Sequence, residues 1–74
     1  MSDALQYIGS RIRMLREQQG LTIEELAKIS NITKSYLAQM ERGEANFSIN
    51  KLADVCSSLH IQLSDIFEKK TINW

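Results

Sequence analysis

The chain has a single cysteine, Cys56, with no second thiol to close an intramolecular disulfide and no neighbours at metal-ligand spacing. A disulfide scaffold and a structural metal are therefore excluded, and a reducing cytoplasm is the simplest home. Long apolar runs are missing and the N-terminus is mixed polar, so neither a membrane span nor a secretory leader is read, and a soluble protein is expected. There is one histidine, with no paired carboxylates in an apolar setting, no glycine-rich phosphate loop and no nucleophile beside a base, which leaves nothing from which to build an active site. A chain of 74 residues also has little room for a substrate pocket, so the expectation is a non-enzyme without metal, cofactor or small-molecule ligand. Net charge is absent as well: nine basic and nine acidic residues cancel. That removes the general basic signature of nucleic-acid binding, although a reader of this size needs only a local basic surface. Repeats and low-complexity segments are absent, so the chain is one domain, with a core small enough that a second copy is plausible on size alone.

What is present is helical periodicity. Leu5, Ile8, Ile12 and Leu15 recur at three- and four-residue spacing, which puts them on one helix face. Residues 1–4 read as a frayed start, and Gly20 ends this helix. Residues 21–43 carry the most information. Thr22 can cap free backbone N–H groups, with Glu25 three residues on to complete a capping box. A helix follows through Leu26, Ala27 and Ser30. Asn31 stands where the chain must reverse, and asparagine tolerates the left-handed backbone. Thr33 caps a second helix through Leu37 and Met40, which Gly43 stops. So short a turn makes the two helices cross steeply, with Ala27 at the close approach and Leu26, Ile32, Leu37 and Met40 around it.

Further on, Ser48 caps a fourth helix whose apolar face is Ile49, Leu52, Ala53, Cys56 and Leu59; Cys56 reads as a small core residue. His60 stands at its end as a capping or surface residue, since a lone histidine lacks partners for metal binding. Ser64 is expected to cap a short fifth helix with Ile66 and Phe67 facing in. The folded core is placed at residues 5–68, with 69–74 a tail whose Trp74 either frays or docks on this chain or on a second copy.

With Leu21, Thr22, Glu24 to Ala27, Ile32, Ser35 to Leu37, Glu41 to Gly43 and Ser64 to Phe67 in place, the chain resembles, over residues 8–67, the helix-turn-helix domain of the lambda repressor and Cro superfamily, the XRE family. The resemblance implies an all-α, compact five-helix lambda-repressor-like fold. It also implies a transcriptional regulator that binds double-stranded DNA as a homodimer on a near-palindromic operator; short free-standing members of this kind include restriction-modification controller proteins and small phage repressors. The second motif helix would enter the major groove, where base edges show a distinct donor and acceptor pattern. Lys34, Ser35, Ala38 and Gln39 would then read bases, with lysine suited to guanine and glutamine to adenine. Thr33, Tyr36, Arg42, Asn46 and Ser48 would position the helix on phosphate or sugar.

The family also pairs an arginine at Arg16 with a glutamate at Glu41, implying a partly buried structural ion pair. Arg13, by contrast, reads as solvated charge. Three departures stand out. Ile23 occupies a position where many members carry a phosphate-binding glutamine, so that contact falls to the backbone N–H. The loop reads Asn46-Phe47-Ser48 where proline is common, and His60 stands where glycine or asparagine is usual. The dimer surface is placed at Ile61, Leu63, Ile66 and Trp74. An alternative is a protein-interaction module that keeps the fold without strong DNA binding, which the neutral net charge and Ile23 favour.

Overall fold

Three of the five helices start at a hydroxyl that accepts a backbone N–H. In the computed structural model, which describes residues 3–67, the elements are α1 (Asp3–Gln18), α2 (Ile23–Ile29), α3 (Lys34–Arg42), α4 (Ile49–Ser58) and α5 (Leu63–Ile66). No strand occurs among the described residues. The Thr22 hydroxyl accepts from the Glu25 N–H at 3.0 Å while the Glu25 carboxylate accepts from the Thr22 N–H at 2.8 Å, a closed capping box. Thr33 caps α3 through the Tyr36 N–H (3.0 Å) and Ser48 caps α4 through the Lys51 N–H (3.1 Å). Each such cap contributes about 1 kcal/mol.

The first four helices stop in one way. Gly20, Asn31, Gly43 and His60 all have positive φ, between 61° and 74°. Each is followed by a residue whose N–H reaches back five positions: Leu21 to the Arg16 carbonyl, Ile32 to Ala27, Glu44 to Gln39 and Ile61 to Cys56. These are Schellman reversals, which satisfy carbonyls that a helix end would otherwise leave open. Asn31 and His60 adopt the left-handed backbone without being glycine.

The core is formed by Ile8, Ile12, Leu26, Leu37, Met40, Leu52, Val55, Cys56, Leu59 and Ile66, all buried. Ala27 is buried at the motif, and a close crossing also lies where α1 meets α3. A Cβ at Gly9 would stand 2.3 Å from the Met40 carbonyl oxygen and 2.6 Å from that of Glu41, so only glycine lets these two backbones touch. Polar side chains fasten α1 at other points. Arg11 donates to the Ile66 and Asp65 carbonyls (3.1 and 2.9 Å) at the end of α5, and Gln19 donates to the Leu59 carbonyl (2.7 Å) at the end of α4. The Ser30 hydroxyl donates to that of Ser58 (2.9 Å), which donates to the Asp54 carbonyl (3.0 Å), closing the seam between α2 and α4.

Several sequence expectations are corrected. α1 begins at Asp3, so Asp3 and Ala4 are helical and not frayed. α5 begins at Leu63, which puts Ser64 inside the helix; the cap is made by the Asp65 carboxylate, which accepts from the Gln62 N–H at 2.8 Å. Phe67 is 51% exposed at the end of α5 and does not face in. Ile66, assigned to a dimer surface, has no exposed area and belongs to the monomer core, where it is out of reach of a second copy. The core boundary at residue 68, the tail at 69–74 and Trp74 lie outside the described residues. Cys56 is buried, and desolvation, with the nearby Asp65 charge as a lesser cause, pushes its thiol pKa up, which makes it a poor nucleophile.

Candidate nucleic-acid interface

The outward face of α3 stands on a buried one. Leu37 and Met40 have no exposed area, so their side of the helix is fixed against the core, and the opposite side presents Lys34, Ser35 and Gln39 to solvent with Ala38 half-buried beside them. The reversal at Asn31 and the cap at Thr33 set where this face begins. Because the Thr33 and Ser48 oxygens accept the capping N–H groups, the hydroxyl protons of both remain free to donate to an anion such as a phosphate.

Tyr36, expected from the sequence to contact phosphate or sugar, bridges α3 and the loop that follows it. Its ring is half-buried against the core and its hydroxyl donates its one proton to the Asn46 carbonyl at 3.1 Å. Tyr36 thereby fastens the loop between α3 and α4 to α3. The Asn46 side chain remains exposed on that loop.

Arg16 and Glu41 lock α1 to the last turn of α3. The guanidinium donates to both carboxylate oxygens, Nε to Oε2 at 2.7 Å and Nη2 to Oε1 at 3.1 Å, and its Nη1 donates to the Leu21 carbonyl at 2.8 Å. The side chains are 12% and 5% exposed. The hydrogen bond to Glu41 raises the Arg16 pKa against the opposing effect of burial, so the guanidinium stays charged. One side chain thus joins α1, the entry to α2 and α3.

Beside this lock is a depression of about 290 Å³ lined by Arg13, Arg16, Ile23, Ala38, Glu41 and Arg42. Each of its three arginines is paired with a carboxylate, Arg16 with Glu41, Arg13 with Glu17 and Arg42 with Glu44. Arg13 lies three residues before Arg16 and hence next to it on the helix surface; it lines the depression as the solvated charge expected from the sequence, 64% exposed. Ile23 supplies apolar wall.

Each exposed cation of the face has an acidic partner. Lys34 pairs with Glu24 at 3.3 Å, Arg42 with Glu44 at 2.9 Å and Arg13 with Glu17 at 3.2 Å. The neutral composition is thus repeated locally, as short-range pairs around the reading helix.

Five helices with this motif at the second and third have a counterpart in a known family. The profile of the helix-turn-helix family, HTH_3, matches residues 12–66. The chain belongs to this family, the lambda-repressor-like XRE type. This helix-turn-helix chain is 38% identical over 66 residues to the HTH-type transcriptional regulator SlrR of Bacillus subtilis (strain 168), covering 88% of the chain and 43% of SlrR. It therefore spans less than half the length of that relative. The crystal structure of the restriction-modification controller protein C.AhdI from Aeromonas hydrophila superposes with a TM-score of 0.86 at 33% identity, covering 89% of this chain and 100% of that one. The controller protein C.Esp1396I, solved as a tetramer in complex with its natural 35 base-pair operator, superposes with a TM-score of 0.84 at 28% identity over 90% of this chain and 88% of that one. These proteins are regulators and controllers, not enzymes. In the helix-turn-helix domain described here, no helix among the described residues is long and apolar enough to cross a membrane.

Proposed function

We propose that the chain is a DNA-binding transcriptional regulator of the cytoplasm that lays α3 in the major groove and acts as a homodimer on a near-palindromic operator. The observation that carries this reading is the exposed, capped face of α3 held over a rigid core by the Arg16–Glu41 pair. An α-helix fits the major groove, and the residues at the start of a reading helix are those that reach base edges. Lys34, Ser35 and Gln39 read bases, with Ala38 at the contact where a thymine methyl fits. Each good bidentate pair discriminates by roughly 1–3 kcal/mol.

Thr33, Ser48, Asn46 and Arg42 position the helix on phosphates, joined by Arg13 at the rim of the arginine-lined depression. Tyr36 acts through the loop that it holds. Two copies would place their reading helices about 34 Å apart, one turn of DNA. Ile61 and Leu63, both half-buried, with exposed Phe67 beside them, are the surface through which the copies meet. The similar C.Esp1396I, solved as a tetramer with its operator, supports operator binding by more than one copy.

The test is selection of duplexes from a random pool followed by titration at several salt concentrations. A symmetric recovered motif and a steep fall of affinity with salt are expected, because neutralised phosphates release counterions. Absence of duplex binding at low salt would refute the proposal. The paired cations and Ile23 favour a second reading, a protein-interaction module on the same fold. A protein partner need not show the steep salt dependence, so the same titration separates the two.

A further inference from the structure

We infer that Glu24 is a specificity-determining residue of the DNA-binding face: it restrains Lys34 from indiscriminate phosphate contact while leaving it free to read guanine. This rests on the DNA-binding reading proposed above. Glu24 lies in the first turn of α2 and Lys34 opens α3, so the pair spans the turn of the motif. The carboxylate accepts from Lys34 Nζ at 3.3 Å, with the two side chains 70% and 61% exposed. Both ends therefore lie at the solvent edge that a duplex would approach, and neither is held by burial.

The chemistry of the ammonium gives the pair its effect. Lysine carries three N–H donors, of which Glu24 takes one. Two remain, the number needed for guanine O6 and N7, so base reading proceeds with the carboxylate in place to orient the ammonium. A phosphate is different. It is an anion, and placed on the same ammonium it is repelled by the Glu24 carboxylate at short range. Binding to arbitrary sequence is almost wholly electrostatic, so this repulsion weighs on non-specific binding more than on operator binding, where neutral base edges share the load.

Glu44 supplies the internal contrast. It pairs with Arg42 at 2.9 Å near the end of α3, where the arginine serves phosphate alone. Its removal should act on every sequence equally.

The experiment compares wild type with Glu24→Gln and Glu44→Gln on two duplexes, the one recovered from the random pool with wild type and a scrambled duplex of equal composition. Exposed ion pairs of this kind translate into about a two- to fivefold change in affinity. Glu24→Gln is expected to raise affinity for the scrambled duplex by that factor while operator affinity stays within its error, so the specificity ratio falls. Glu44→Gln is expected to raise both alike. In a Lys34→Ala background the effect of Glu24→Gln on the ratio should vanish, and thermal melts of each variant establish that all are folded. An unchanged ratio in folded Glu24→Gln, or a fall that persists without Lys34, would overturn the inference while the DNA-binding reading stands. Failure of wild type to bind any duplex removes that reading, and this inference with it.

Discussion

Replacing Gly9 by alanine tests how α1 and α3 are joined. In most exposed helix interiors this change is favourable, by about 1 kcal/mol of helix propensity. Here the added methyl would lie 2.3 Å from the Met40 carbonyl oxygen, 2.6 Å from the Glu41 oxygen and 2.8 Å from the Glu41 carbonyl carbon. All three are backbone atoms of a packed helix, so no side chain can swing aside. An ordinary carbon–oxygen contact therefore requires α1 to move away from α3 by about 1 Å, at the typical overpacking cost of about 1–3 kcal/mol or more. That movement also stretches the Arg16–Glu41 pair, which spans the same two helices. We expect a net loss of about 2 kcal/mol after the propensity gain, and about 4–8 °C in Tm per kcal/mol for a domain of this size.

The assay is urea and thermal denaturation followed by circular dichroism. Gly20→Ala provides a control of opposite character: its methyl meets nothing within 4 Å, but its φ is +73°. It should lose only the left-handed backbone penalty of about 1–2 kcal/mol and leave the packing of α1 untouched. A Gly9→Ala protein as stable as wild type would refute the reasoning.

Three further outcomes are expected. Glu41→Ala leaves a largely buried Arg16 with the Leu21 carbonyl and the longer, 3.9 Å ion pair to Glu17, and should destabilise by about 3 kcal/mol in the same denaturation assay. Cys56 should resist thiol reagents in the native protein and react at once in denaturant. Because burial raises its folded pKa above the unfolded value, its contribution to stability is full below the ordinary thiol range and is lost as pH rises towards the folded value, which urea midpoints across alkaline pH will follow. Lys34→Ala and Gln39→Ala should relax sequence preference in duplex selection, whereas Arg42→Ala should weaken binding to all sequences and make the salt slope shallower by about one; equal effects from all three would contradict the division of roles.

The sequence revealed what is decided locally. Thr22 with Glu25, Thr33 and Ser48 are caps because a hydroxyl two or three residues before a free N–H has few other choices, and Gly20, Asn31 and Gly43 stop helices for equally local reasons. Features that depend on distant partners were hidden. Nothing in the neighbourhood of Gly9 distinguishes a tolerated helical glycine from one pressed against the Met40 and Glu41 carbonyls. Arg11 reads as surface charge until the fold brings it to carbonyls 54 and 55 residues away. Periodicity put Ile66 on an apolar face but could not say whether that face meets this chain or another. At α5 two caps competed, and the Asp65 carboxylate prevailed over the Ser64 hydroxyl. The Lys34–Glu24 pair crosses a turn, so helix spacing could not reveal it.

The attachments of α1 have a mechanical consequence. Arg16 ties it to the reading helix, Gln19 to the end of α4 and Arg11 to the end of α5. A helix of 16 residues is a stiff rod about 24 Å long. Fastened at three points, it holds α3, the end of α4 and the end of α5 in one fixed relation. Two copies meeting through the α5 side would then hold their reading helices at one separation, and an operator lengthened by a single base pair would have to twist to fit the protein.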